Sequence, residues 1–307
     1  MKAPGRIFTV LVWTALLAVL FFVLRDEMDT EELKKNRYWL AKTSSGDQYP
    51  IVFGGDSRVF RGLSPAVFSS NFNDIPAYNY AYWANGYGKD YLEGLYARLD
   101  SSAAFRMIVL GVSPHSLTKK TARSLHYQYE LKRAKGNVRR LMAASRLEEF
   151  FAPYRVLELF DRALGRSAPH NIRIIYHDDG WVETWWLRPD TTRAERSYST
   201  LFKDDPVDEE VVSAFLSCVS GWTKEGIHVV GYRPPASFAI RAFEEGMGEF
   251  SEAELVARFE EAGGIWIDVA PWDYLTYDGS HLEHESARRL SGDLARAISE
   301  RLGKGSY

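Results

Sequence analysis

The stretch IVFGGDSRVFRGLSP, residues 51–65, decides how this chain is read. Ile51, Val52 and Phe53 form a short apolar run without polar alternation, the pattern of a strand buried on both faces. The run stops at Gly54-Gly55-Asp56-Ser57, a turn leading toward a helix. Asp-Ser after glycine is an ordinary turn and cap sequence. It also stands where a strand of an open α/β sheet delivers side chains to the rim at which ligands bind. Ser57 is therefore a helix cap or a nucleophile. The choice turns on whether a base reaches it, because a serine hydroxyl attacks only when its proton is taken.

Outward from this stretch, apolar runs alternate with helical patterns. Strands are expected at Ile51–Gly54, Ala77–Tyr82, Arg106–Gly111, Ile227–Tyr232 and Gly264–Val269. Helices are expected at Lys89–Leu99, Glu209–Glu225, Ser251–Glu261 and Glu283–Leu302. That alternation implies a mostly parallel sheet with helices on both faces, and right-handed crossovers make it a three-layer α/β/α sandwich. Residues 117–205 break the rhythm and read as an insertion above the sheet. It holds helical stretches at Lys119–Ala134, Val138–Phe151 and Arg155–Leu164, then NIRIIYHDDGWVETWW, a β-hairpin turning at Asp178-Asp179-Gly180.

The 307 residues are 46 % apolar and 26 % charged, which suits a globular domain with a sizeable core. A net charge of −3 gives no general reason to expect a nucleic-acid partner. Cys218 is the only cysteine, so no internal disulfide forms. Ile7–Leu24 carries no charge and no helix breaker, and as a helix it nearly matches a hydrocarbon core of about 30 Å. Lys2 and Arg6 precede it and a cluster of acids follows. It reads as an uncleaved transmembrane helix (residues 1–25), with a cytoplasmic N-terminus and an extracytoplasmic globular part. The rival is a cleaved signal peptide, against which stand the length of the run and the lack of a clean small-x-small site. Residues 26–49 read as a partly helical juxtamembrane linker, and 50–307 as the globular domain.

A second block lies near the C-terminus, TYDGSHLEHESARRLSGDLARAI, residues 276–298. Asp278 and His281 sit three apart in a loop after the last expected strand, so topology returns them to the rim that carries Ser57. A carboxylate at that spacing can hold an imidazole in the tautomer that accepts a serine proton. A capping aspartate beside a surface histidine is the other explanation.

Gly55-Asp56-Ser57 after the first strand and Asp278-Gly279-Ser280-His281 before the last helix resemble the paired blocks of the SGNH, or GDSL-like, hydrolases, over about residues 50–116 and 226–300. The resemblance implies a flavodoxin-like α/β/α fold, Ser57 as nucleophile, His281 as base and Asp278 as its orienting acid. It implies an oxyanion hole from the Ser57 N–H, a glycine in the second block, here Gly86, and a third-block donor. The third block departs from the pattern: Gly111 is present in VLGVSPHSL, but Ser113 and Pro114 stand where Asn-Asp is usual. Such divergence, with an N-terminal anchor, is similar to the membrane-anchored branch that includes proteins of alginate O-acetylation and teichoic-acid D-alanylation. That branch implies acyl, chiefly acetyl, transfer or removal on a cell-surface or secreted polysaccharide beside a multi-spanning membrane acyltransferase, with no cofactor and no metal. A lipase or esterase of the same fold, and a non-catalytic accessory binding glycan or an acyltransferase, are the alternatives.

Arg58 and His115, next to the nucleophile and after the third strand, are candidate substrate contacts. Arg61 is a looser one. His284 with His281 and Asp278 matches no strong zinc spacing. Trp181, Trp185 and Trp186 form either a sugar-stacking platform or packing. The basic run from Lys119 to Arg146 suits anionic head groups or polymer, or a solvated helix face.

Overall fold

The computed structural model describes residues 8–17, 31–135, 172–202, 204–247 and 250–303. Five strands, β1 (Ile51–Gly54), β2 (Ala77–Asn79), β3 (Met107–Gly111), β6 (His228–Tyr232) and β7 (Ile265–Ile267), form one sheet in the order β2-β1-β3-β6-β7. Every neighbouring pair is parallel. Counted within the sheet, the order is 2-1-3-4-5, that of a flavodoxin-like fold. The residues of β1 and β3 are all buried, as their unbroken apolar runs require.

Helices cover both faces. Lys89–Tyr96, Glu209–Lys224 and Glu252–Glu261 share one, joined by ring contacts such as Phe215 on Phe259 and Tyr96 on Trp222. Pro65–Ser70 and the C-terminal His284–Leu302 pack together on the other. Strand ends fall inside the expected ranges, because β2 and β7 are edge strands with one pairing partner each. Three short helices escape sequence periodicity: Pro65–Ser70, Arg193–Leu201 and Phe238–Glu245.

Strands β4 (Ile172–Tyr176) and β5 (Val182–Trp186) form the expected antiparallel hairpin, with Ile172 opposite Trp186. Its turn is pinned onto β2: the Asn79 N–H donates to Asp179 O. Gly180 adopts φ +87, and a Cβ there would lie 2.1 Å from Asn79 O, so only glycine fits. Within the insertion, Lys119–Ala122 and Leu125–Lys135 are helical, while Val138–Phe151 and Arg155–Leu164 lie outside the described residues.

Of the expected membrane span, residues 8–17 are described, as helix with outward apolar side chains. No helix among the described residues is long and apolar enough to cross a membrane. The stretch expected as a linker is more than a tether. Its Glu31–Ser44 helix buries Trp39 and Leu40, and Trp39 packs edge-on against Phe60. Lys42 is buried as well, and its ammonium donates to Gly180 O at 3.0 Å and to Tyr38 Oη at 2.9 Å, tying helix to hairpin turn. Burial pushes the Lys42 pKa well below that of an ordinary lysine. Trp39→Ala should therefore cost about 3–5 kcal/mol in urea unfolding, as for a core tryptophan; an unchanged midpoint would return the helix to the status of a linker.

Candidate active site

β1 ends in a turn that only glycine allows. Gly55 has φ +149, and a Cβ on it would meet Val59 Cγ2 at 2.4 Å. The Ser57–Gly62 helix then begins, and Asp56 is its cap: Asp56 Oδ1 accepts the Arg58 N–H at 2.8 Å. Ser57 is thus released from capping, and its own N–H, at the helix start, has no partner among the described residues.

The C-terminal block folds back to meet it. His281 Nε2 lies 2.8 Å from Ser57 Oγ, across 224 positions of sequence. His281 Nδ1 donates to Asp278 Oδ2 at 2.8 Å, and Asp278 Oδ1 accepts the N–H groups of Ser280 and His281 at 2.9 and 2.8 Å. Burial works to raise the Asp278 pKa. The imidazole and these two backbone donors override it and hold the carboxyl at about 2. Burial lowers the His281 pKa below its ordinary 6.5, although Asp278 pulls the other way. At neutral pH His281 is therefore uncharged, with its proton on Nδ1 and a lone pair on Nε2 aimed at Ser57 Oγ–H. That is the arrangement of a nucleophile, its base and an orienting acid.

The insertion supplies a wall. The Tyr277 ring stacks on His281 at 5.7 Å and on Trp186 at 5.2 Å, and the Arg193 guanidinium lies over the Trp186 ring. Arg61, one turn along from Ser57, donates to Tyr277 Oη, and its carbonyl accepts Trp181 Nε1–H at 2.9 Å. Trp181 is buried, which removes it from any sugar platform. Trp185 packs against His284, and Trp186 against Tyr277. Tyr277 was not legible as a site residue. The only available signal was its place immediately before Asp278.

Two expected substrate contacts are corrected. Arg58 and His115 are buried at 2 % and 3 % exposure, inside an ion cluster beneath Ser57. His115 Nε2 meets Asp56 Oδ2 at 2.5 Å and its Nδ1 meets Glu244 Oε1 at 3.0 Å. Arg58 pairs with Glu244 Oε1 as well, and Arg233 reaches Glu244 Oε2 at 3.1 Å. Burial opposes charge on Asp56, Arg58, His115 and Glu244. Even so, Asp56 settles at about 2 through His115 and Arg58, and Glu244 lies well below the usual carboxylate range through Arg58 and His115. Burial and Arg58 push His115 down, but Asp56 and Glu244 outweigh them and its pKa is raised. Glu244, on a short helix after β6, is a member that no sequence pattern marked.

Two expected oxyanion donors are corrected too. The Gly86 N–H donates to Thr121 O at 2.9 Å, and Ser116 O and Thr121 crowd its Cα, so it is committed to structure. Ser113 Oγ is buried against the cluster, 3.2 Å from His115 Nδ1 and 3.5 Å from Asp56 Oδ2. Asn85, the residue before Gly86, is buried, and neither its Nδ2 nor its Oδ1 has a hydrogen-bond partner among the described residues. An unpartnered buried amide requires a reason.

No protein-family model matches this chain, and no curated protein does. Among solved structures, one from Streptococcus pneumonia, described as that of a platelet activating factor, is similar at 12 % identity and a TM-score of 0.36, covering 94 % of this chain and 99 % of its own. Est24, a carbohydrate acetylesterase from Sinorhizobium meliloti, is similar at 11 % identity and a TM-score of 0.34, covering 82 % and 98 %. Overlap of that extent establishes no kinship, and the reading of the site rests on its own geometry.

Two titrations follow. Because His281 must be neutral to accept a proton and its pKa is lowered, the acid limb of Ser57 reactivity should fall below pH 6.5; a limb above 6.5 would contradict the burial. His115 runs the other way. Its folded pKa is raised above 6.5, so its stabilisation is complete below 6.5 and fades as pH rises through the folded value. Urea midpoints should decline on the alkaline side, and His115→Ala should remove that slope while costing about 3–5 kcal/mol at neutral pH.

Proposed function

We propose that this chain is a serine-dependent acyl-transfer enzyme, and the observation that carries the reading is the Ser57–His281–Asp278 relay with two successive 2.8 Å contacts. Ser57 Oγ attacks an acyl carbonyl and passes its proton to His281 Nε2. The imidazolium is stabilised by Asp278, and the tetrahedral oxyanion is held by the Ser57 N–H and the Asn85 carboxamide. The carbonyl re-forms, the bond to the leaving alcohol breaks, and His281 returns the proton to that alcohol. An incoming hydroxyl, from water or a sugar, then gives its proton to His281, attacks the acyl-serine and releases Ser57.

The acyl group we assign is acetyl, and the substrate a cell-surface or secreted polysaccharide. An extracytoplasmic domain on an N-terminal anchor is placed for that substrate, with a membrane acyltransferase as the natural donor. In support stand the apolar stretch at Ile7–Leu24 and the paired Gly-Asp-Ser and Asp-x-x-His blocks.

A fluorophosphonate probe should label the wild-type protein at Ser57, and Ser57→Ala should not label. Equal labelling of the two, or none of either, overturns the catalytic reading in favour of a binding accessory. With an acetylated polysaccharide, Asp278→Asn should lower turnover by up to about ten-thousandfold through the wrong imidazole tautomer. Asn85→Ala should lower it by about a hundredfold or more while KM stays close to wild type; an unchanged rate would remove Asn85 from the oxyanion hole.

A further inference from the structure

The Glu31–Ser44 helix has a direction with consequences for the membrane. Near its start, Lys35 lies over the Trp83 ring, in the loop beyond the carboxyl end of β2. Midway, Trp39 meets Phe60 and Tyr82, which follow β1 and β2. At its end, the carbonyls of Lys42, Thr43 and Ser45 accept from Arg98, and Tyr49 pairs with Leu99, at the opposite edge where β1 and β3 begin. The helix therefore descends from the carboxyl-end rim to the foot of the sheet. The chain that carries the apolar stretch 7–24 enters the domain at the rim that holds Ser57.

Exposed large apolar side chains gather at that same rim. Phe238 follows β6 and is 74 % exposed, and Trp272 and Leu275 follow β7 at 64 % and 66 %. The rings of Phe238 and Trp272 lie 6.3 Å apart. The Ser237 N–H, next to Phe238, donates to Gly279 O inside the catalytic loop. Trp83 and Leu187 are exposed too, the first beyond β2 and the second beside Trp186. Leu125 and Tyr129 project from the helix whose Tyr127 packs on Tyr80 and Tyr82. Outside residues 8–17, Tyr96 lies at the other end, near Leu99. Scattered exposed apolar residues need no explanation, but a concentration on one face, rich in aromatics, marks an interaction surface.

We propose that the carboxyl-end rim of the sheet docks on a lipid bilayer, so that Ser57 opens toward the membrane surface. Aromatic rings with exposed loops around them suit the interfacial zone, where tryptophan and tyrosine concentrate in membrane proteins. The proposal deepens the acyl-transfer reading: an acyl donor at or in the membrane reaches Ser57 from the side on which the chain is anchored, and the polymer approaches along the interface.

The test uses the full chain, with Cys218→Ser as background, reconstituted with phosphatidylcholine vesicles containing doxyl-labelled lipid. A single environment-sensitive fluorophore is placed by Phe238→Cys, Trp272→Cys, Tyr96→Cys or Val12→Cys. Labels at 238 and 272 should be quenched severalfold more than the label at 96, with blue-shifted emission. Equal behaviour at 238, 272 and 96 overturns the proposal. Quenching at 12 alone shows an anchored domain held off the bilayer and overturns it too, while the anchor stands. Quenching at 238 and 272 without quenching at 12 keeps the docking face and removes the anchor. If the rim labels respond only when membrane protein is added, the face belongs to a protein partner and the lipid proposal falls. Fluorophosphonate labelling of Ser57 is read separately, so loss of docking and loss of serine chemistry are told apart.

Discussion

One buried ion pair governs how this molecule presents its serine. Asp56, at the end of β1, and His115, beyond the end of β3, meet at 2.5 Å with almost no exposure to water. Glu244 brings the helix after β6 to the same imidazole. Three neighbouring strand ends are thereby held at one point under the rim. A buried ion pair adds little net stability over well-packed apolar residues, but losing one partner strands a charge in a low dielectric. Its effect here is geometric. Asp56 turns inward to cap its helix and meet His115, and the next residue, Ser57, faces the imidazole of His281.

The relay above that cluster is assembled from elements that share no local sequence. A parallel sheet sends every strand's carboxyl end to one side, so the loop after β1 and the loop after β7 converge although 224 positions separate Ser57 from His281. Trp186 of the hairpin then backs Tyr277, whose ring stacks on the imidazole. The hairpin's turn is held by Asn79 of β2 and by Lys42 and Tyr38, so the N-terminal helix and the hairpin are tied to the sheet at one point.

Parts of this were legible in the residues themselves. Ile51–Phe53 and Met107–Leu110 are apolar without interruption because both faces of a central parallel strand are covered, and the reading of a doubly covered sheet holds. The hairpin was legible because Asp178-Asp179-Gly180 supplies a left-handed residue where the turn needs one. Arg58 and His115 were misjudged for a physical reason. Charged residues beside a rim serine resemble substrate contacts in sequence, and only burial with opposite charges from three elements reveals an internal network. Gly86 was misjudged because a glycine's N–H is available only if no carbonyl has already claimed it, and Thr121 O has.

The sequence by itself determined the sheet's strand-and-helix alternation, the turn at Gly55 and the spacing of Asp278 and His281, since periodicity, glycine backbone freedom and three-residue reach are all local properties. Tertiary structure alone decided which carboxylate caps and which serine is free, where the N-terminal helix enters, and which aromatic rings are left in water. Those depend on long-range Coulombic pairing and on which surfaces neighbouring elements happen to cover, and neither is encoded within a window of a few residues.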